Sequence, residues 1–533
     1  MSAVPNETLD SWKAIAAYFH RDVRTVIRWE HARGLPVHRI PGGGRPGVFA
    51  LKSELDAWWK SARLHLVDDV PEGSPHRPSP SIAVLPFANL SSDKENEYFS
   101  DGLADEIITA LTRVQGLRVT ARTSSFAFRG KQQDVREIGA RLGVNTMLEG
   151  SIQRSSGRVR VSAQLINVRD GFHLWSQHYD RELGDVFAIE DEISHAIAGA
   201  LEVRLAPSRI VRPTPNQEAY NCWLKGRYYQ QYETLEAFAK CRTYLKRAIA
   251  LDALFPQPYL GLAELARAAA EVGIIGPREA LTEGWAAIQK AFDLDDSLGE
   301  AHALSGAYRA WMDFDWSGAC ADFERALALT PASADAHRFR ATHYLVPCGR
   351  LREAEEEMQE AVVSDPVSPL AYIELGKVLL WARQFDRAQA TMEAALELRP
   401  GYWLAAWYRG VAFYFQGRIE EALAIWQSVQ KKIGVTPVGI GCIGMGLGQL
   451  GRYTEARAAL ADLDAAERQC YVPQFSRAQI HMGLGETDAA FGCLDRAVEE
   501  RDVHILDLPC KPIWDGLRSD PRFTALLRKM RLA

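Results

Sequence analysis

Cysteine is sparse in this sequence and never clustered. The eight cysteines, Cys222, Cys241, Cys320, Cys348, Cys442, Cys470, Cys493 and Cys510, all follow residue 216, and no two lie closer than 17 residues. That excludes the CxxC units of zinc sites and thioredoxin-like centres. Lone thiols in a helical region are expected to be buried and reduced. Long apolar runs are missing as well. The longest weakly polar stretch, Gly434–Gly448, is dense in glycine and falls short of the ~20 residues a membrane span needs. The opening MSAVPNETLD has neither the basic patch nor the apolar core of a signal peptide, so a cytoplasmic location without membrane contact is expected.

Catalytic signatures are absent too. Gly42–Gly47 does not end in GK[ST], and the glycine spacing before Gly130-Lys131 is wrong for a phosphate-binding loop. No GxSxG elbow surrounds Ser124 and Ser125. His173, His178 and His195 have no HExxH-type spacing. Asp101, Asp105 and Glu106 lie near a helix start, where helix-dipole compensation and capping account for them. These absences predict a chain that is not an enzyme and holds no cofactor and no metal.

The charge that is present is unevenly placed. Net charge is −6, yet residues 1–66 carry ten Lys/Arg against six Asp/Glu. A basic module on an acidic body suggests local contact with an anion. In this module Leu9–His20 sets Trp12, Ile15, Ala16 and Phe19 on one helical face. A tight turn and an N-cap at Asp22 lead to a second helix, Val23–Ala32. Val37–Ala50 alternates around Gly42–Gly47 like a glycine-rich hairpin, and a third helix follows over Lys52–Ser61. Two short helices and a β-wing suit major-groove reading of double-stranded DNA. Arg24, Thr25 and Arg28 share the outward face of the second helix, where an arginine fork can pair with guanine or phosphate. Arg21, Arg39 and Arg45 flank it as phosphate contacts.

The run LDSWKAIAAYFHRDVRTVIRWEHARGLPVHRIPGGG, followed by SELDAWW, resembles the winged helix-turn-helix domains of MerR and excisionase type. The resemblance implies DNA binding and a homodimer, although the long dimerisation helix that follows the wing in MerR is missing here.

Val67–Pro80 (VDDVPEGSPHRPSP) and Ala206–Asn216 (APSRIVRPTPN) read as extended linkers. Between them, apolar β-branched runs alternate with amphipathic stretches, which predicts an α/β domain with a mixed sheet over residues 81–205. The strings SIAVLPFANL, EYFSDGLADEI, ARTSSFAFRG and LEGSIQRSSGRVRVSAQLINVRDGFHLWSQHYDREL resemble the TolB-like amino-terminal domain. That implies an interaction or sensing role.

Beyond residue 216 the sequence repeats. Ala354, Ala388, Ala422, Ala456 and Ala490 are spaced by 34, with Gly376, Gly410 and Gly444 as a second ladder and Pro331, Pro366 and Pro400 as a third. A 34-residue period is that of tetratricopeptide helix pairs, which bury their faces only by stacking. The fold class expected is therefore multidomain: a small winged helix-turn-helix (1–66), an α/β TolB-like domain (81–205), and an all-α tetratricopeptide superhelix (217–498) closed by a capping segment (499–533). Linkers occupy 67–80 and 206–216. The repeats should supply a groove for a protein or peptide partner. Ile373, Lys377, Trp407 and Val411 stand where carboxylate-clamping repeats carry lysine and asparagine, so an apolar partner segment is expected. The function these features predict is a DNA-binding transcriptional regulator with a sensing domain and a protein-binding array. A non-enzymatic scaffold is the alternative.

Overall fold

A computed structural model describes residues 8–18, 26, 30, 35–39, 48–55, 80–91, 97–114, 116–130, 133–155, 158–182, 186–201, 214–230 and 235–533. The chain divides into two compact units, Met1–Pro78 and Ser79–Ala533.

In the first unit, β1 (Thr8–Leu9), β2 (His38–Arg39) and β3 (Val48–Leu51) form an antiparallel sheet in the order β1-β3-β2. Helix α1 spans Trp12–Tyr18. The Ser11 hydroxyl accepts the Ala14 N–H at 3.1 Å, which satisfies one of the donors a helix start leaves unpaired. Ile15, Ala16, Val26, Leu35, Ala50 and Leu55 form the core, with Trp12 packed against it. The second helix is described only at Val26 and Glu30, both helical, and the third only as far as Leu55. The elements that would decide a winged helix-turn-helix thus lie outside the described residues.

The second unit opens with a mixed sheet in the order β6-β4-β7-β8-β9, with β5 also pairing β7. Its elements are β4 (Ser81–Val84), β5 (Ala88–Asn89), α2 (Glu97–Leu111), β6 (Arg118–Val119), α3 (Arg122–Phe126), α4 (Val135–Leu142), β7 (Thr146–Ser155), β8 (Arg158–Asn167), β9 (His173–Glu182) and α5 (Val186–Ala200). β4 runs parallel to β6 and β7, and the β7–β8–β9 ribbon is antiparallel. One sheet face meets α2, whose Leu103, Ile107, Ile108 and Leu111 stripe is buried with Val159, Val161 and Leu165. The other face is covered only in part. Ile138 and Leu142 of α4 pack with Phe128 over Ala83, Leu85 and Met147.

Eight antiparallel helix pairs follow, from Gln217–Gln230 with Leu235–Leu251 to Gln474–Leu484 with Thr487–Glu500. The alanine ladder explains the packing, since all five alanines are completely buried where two helices cross. The glycine ladder does the same with less room. A Cβ on Gly376 would lie 2.4 Å from Met392 Cε, and one on Gly410 2.6 Å from Trp426 Nε1. The tail does more than cap the last pair. The Trp311 indole N–H donates to the Arg501 carbonyl at 2.6 Å, and the Arg501 guanidinium donates to the Met312 carbonyl at 2.7 Å. Trp316 donates to the Met530 carbonyl at 2.7 Å. The end of the array therefore closes onto its third pair and shares one hydrophobic core with it.

Candidate functional site

Of the residues assigned to DNA contact, Arg21, Arg24, Thr25, Arg28 and Arg45 lie outside the described residues. Arg39 is described. It lies on the exposed strand β2 and donates to Glu30 at 2.5 Å. Its neighbour His38 bonds Glu54 at 2.6 Å and stacks on Phe49. Arg39 is half-exposed, whereas the Glu30 side chain it pairs with is only 14% exposed.

A second concentration of polar groups occurs where the α/β domain meets the repeats. Gly102 of α2 lies against the first repeat helix so closely that a Cβ there would fall 2.5 Å from Leu224 Cδ1. Beside it, the buried Asp105 carboxylate meets Arg122 at 3.5 Å and Arg227 of that repeat helix at 3.2 Å. The buried Asp101 pairs with Arg129. These aspartates are thus bound to arginines in the interior rather than capping a helix in solvent. Burial pushes the neighbouring Glu106 carboxyl up to about 7, Asp105 adds to the rise, and Arg227 and Arg113 oppose it.

Helix α3 anchors a second point of the junction. The Ser124 N–H donates to Asp365 Oδ1 at 2.9 Å, and its hydroxyl accepts the Val367 N–H at 2.8 Å. The Ala121 N–H donates to the Ser364 carbonyl at 2.6 Å. Burial raises the Asp365 carboxyl to about 6, against hydrogen bonds from Ser124 and Ser368 that lower it.

Asp101, Asp105, Arg122 and Arg227 enclose only about 10 Å³ of free space. That is roughly the room of a single water, so this junction acts as a polar weld between the α/β domain and the repeats. Sequence reading singled out Asp101, Asp105 and Ser124 but could not pair them with Arg227 and Asp365, which are far away in sequence and linked only by the fold.

The inner helices of the repeats are polar where an apolar groove was expected. Arg267, 6% exposed, meets Glu264 and Glu271 at 2.9 Å each. Lys377 meets Glu374 at 2.9 Å and lies over the Tyr408 ring. Ile373, Trp407 and Val411 are buried and make no carboxylate clamp. Trp407 and Tyr414 pack on Trp426, with ring centroids 5.7 and 5.9 Å apart.

Comparison with known proteins fits this architecture. Residues 78–195 match the family described as HilA/YgeH-like transcriptional regulator, second domain, and residues 373–431 match the tetratricopeptide repeat. The chain thus carries a HilA-like regulator domain followed by tetratricopeptide repeats. A Rhizobium meliloti protein named "Putative adenylate cyclase 3" is 38% identical over 248 residues, which are 45% of this chain and 42% of that protein. The chain therefore spans less than half the length of this curated relative. A tetratricopeptide repeat protein from Parabacteroides merdae is 15% identical, covers 50% of this chain and 99% of its own, and gives a TM-score of 0.35. TolB from Acinetobacter baumannii is 20% identical, covers 23% and 28%, and gives 0.18. The relative from R. meliloti corrects one expectation. The missing nucleophile, metal and nucleotide motifs predict a chain that is not an enzyme, whereas this relative, 38% identical over 248 residues, carries the name of an enzyme. Among the described residues, no helix is long and apolar enough to cross a membrane.

Proposed function

We propose that this chain is a DNA-binding transcriptional regulator in which residues 1–66 dock on double-stranded DNA and the HilA-like domain, welded to the repeats, receives a protein signal. The observation that carries this reading is the match of residues 78–195 to the second domain of a transcriptional regulator, directly after a basic first unit. Arg24, Thr25 and Arg28 are the base-reading candidates, with Arg21, Arg39 and Arg45 on phosphates and a homodimer presenting two copies. The test is retention of sheared genomic DNA at two salt concentrations, followed by sequencing, with Arg24→Ala/Arg28→Ala alongside. A common sequence that survives higher salt and vanishes in the variant supports the reading. Uniform, salt-sensitive retention would leave only phosphate contact, and unchanged retention by the variant would sink the recognition helix.

The R. meliloti relative favours a second reading, in which the chain acts in cyclic nucleotide formation. Incubation of the pure protein with ATP and a divalent cation tests it directly. Cyclic AMP above a heat-killed control would support it, and none would leave the regulator reading alone.

A further inference from the structure

Strand β7 is paired along its whole length by β8, but on its other side the pairing is interrupted. β4 matches it as far as Val84 opposite Leu148, and β5 resumes at Ala88 opposite Ser151. In between, Leu85–Phe87 makes no ladder pairs with Glu149 and Gly150, although the Phe87 ring lies against Gly150. The split is pinned at both ends, by Leu85 N–H to the Leu148 carbonyl at 2.9 Å and Leu90 N–H to the Ile152 carbonyl at 2.8 Å. The loop Phe128–Gly130 after α3 overhangs it, turning through a left-handed Gly130 (φ 64°). The result is a crevice of about 320 Å³ beyond the carboxyl end of β4. Crevices at the carboxyl ends of parallel strands are where α/β sheets place ligands.

The crevice has two unlike sides. Leu85, Pro86, Ala88 and Phe128 make an apolar wall. The floor is polar: Glu149 stands opposite Gln164, and Ser151 opposite Ser162, on the half of the sheet face that α4 leaves uncovered. None of these four side chains bonds to any described residue, whereas Arg129 at the rim is charge-matched by Asp101. The crevice therefore offers one uncompensated carboxylate, two hydroxyls and an amide beside an apolar wall.

We propose that this crevice binds a small organic cation, with an ammonium seated on Glu149, hydrogen bonds to Ser151, Ser162 and Gln164, and a short aliphatic body against Leu85, Pro86 and Phe128. An anion would meet Glu149 directly, and a neutral ligand would forgo the charge-assisted bond. The volume of about 320 Å³ suits a diamine or a basic amino acid. The site stands whether or not the first unit binds DNA.

The experiment is calorimetric titration of the full chain with three five-carbon isosteres: 1,5-diaminopentane, 1,5-pentanediol and glutarate. The diamine is expected to bind and the other two are not. Glu149→Gln, which keeps the side chain's shape, should weaken the diamine by at least about tenfold with an unchanged melting temperature. Ser162→Leu fills the crevice from the neighbouring strand and should also abolish binding, so the outcome does not hang on one variant. Equal binding of diol or glutarate, undiminished binding by Glu149→Gln, or no diamine binding up to about 10 mM would each overturn the proposal.

Discussion

Replacing Asp365 tests the weld between the two parts of the second unit, because two substitutions there separate charge from hydrogen bonding. Asp365 is 8% exposed, and its carboxyl is raised from 3.8 to about 6, chiefly by burial. Holding it ionised well above pH 6 therefore costs about 3 kcal/mol relative to the unfolded chain, at ~1.4 kcal/mol per pH unit of displacement. A carboxyl whose folded value lies above its unfolded one penalises the fold at high pH, and the penalty fades as pH falls through about 6 toward 3.8. Asp365→Asn keeps an oxygen for the Ser124 N–H and removes the charge. It should match the parent near pH 4 and exceed it by roughly 1–3 kcal/mol at pH 8. Asp365→Ala also leaves the buried Ser124 N–H unsatisfied, so it should fall below the Asn variant by about 1–3 kcal/mol at every pH. Urea denaturation of the full chain between pH 4 and 8, followed by near-ultraviolet dichroism, gives both differences. An Asn variant no more stable than the parent at pH 8, or an Asn–Ala gap that changes with pH, would refute the assignment of cost to charge and gain to the hydrogen bond.

Two further outcomes follow from local packing. Gly410→Val should destabilise by about 1–3 kcal/mol, because its Cβ meets the Trp426 indole that donates to the Trp407 carbonyl. Gly492→Ala, also within a helix but with nothing within 4 Å of the new Cβ, should stabilise by about 0.5–1 kcal/mol, and thermal melts of the pair read the contrast. Among the thiols, the exposed Cys470 should react first with a thiol reagent on the folded chain, and the buried Cys222, Cys241, Cys442, Cys493 and Cys510 only on unfolding. Early modification of any of these five under native conditions would contradict the packing.

How legible each part was depended on how local its cause is. The repeat ladders were readable because Ala354, Ala388 and their successors answer to one crossing geometry repeated down the array. The α2 stripe was readable because helical spacing alone puts Leu103, Ile107 and Ile108 on one side. The short helix at Arg122–Phe126 left no periodic signal in five residues. Its position is fixed instead by Ser124 reaching Asp365, 241 residues away. The apolar groove expected from Ile373, Trp407 and Val411 failed for a related reason. Those side chains fill the space between neighbouring helices, while Arg267 and Lys377 pair within their own helices with Glu264, Glu271 and Glu374, and Lys377 also reaches Glu271 of another repeat at 4.0 Å.

Closure of the array by its tail distinguishes this superhelix from a plain stack, and deletion of residues 501–533 tests it. In a plain stack each pair contacts only its neighbours, so losing the tail would loosen only Gln474–Leu484 and Thr487–Glu500. Here the tail also covers Trp311 and Phe314, each 1% exposed, and stacks Arg501 over the Phe314 ring at 4.5 Å. Arg501 holds a left-handed φ of 60°, a conformation that costs a non-glycine residue on the order of 1 kcal/mol and persists only where surrounding contacts hold it. Deletion therefore bares two aromatic side chains on the third pair and removes the acceptors of the Trp311 and Trp316 indole N–H groups. At about 0.5–1.5 kcal/mol per hydrogen bond lost, with apolar burial lost besides, local opening of the helices Gly299–Met312 and Trp316–Leu329 should become roughly ten times more frequent. Hydrogen exchange over those two helices, compared between the full and shortened chains, reads this directly. Faster exchange confined to the final pair would mean that the tail is only a cap and that the third pair stands without it.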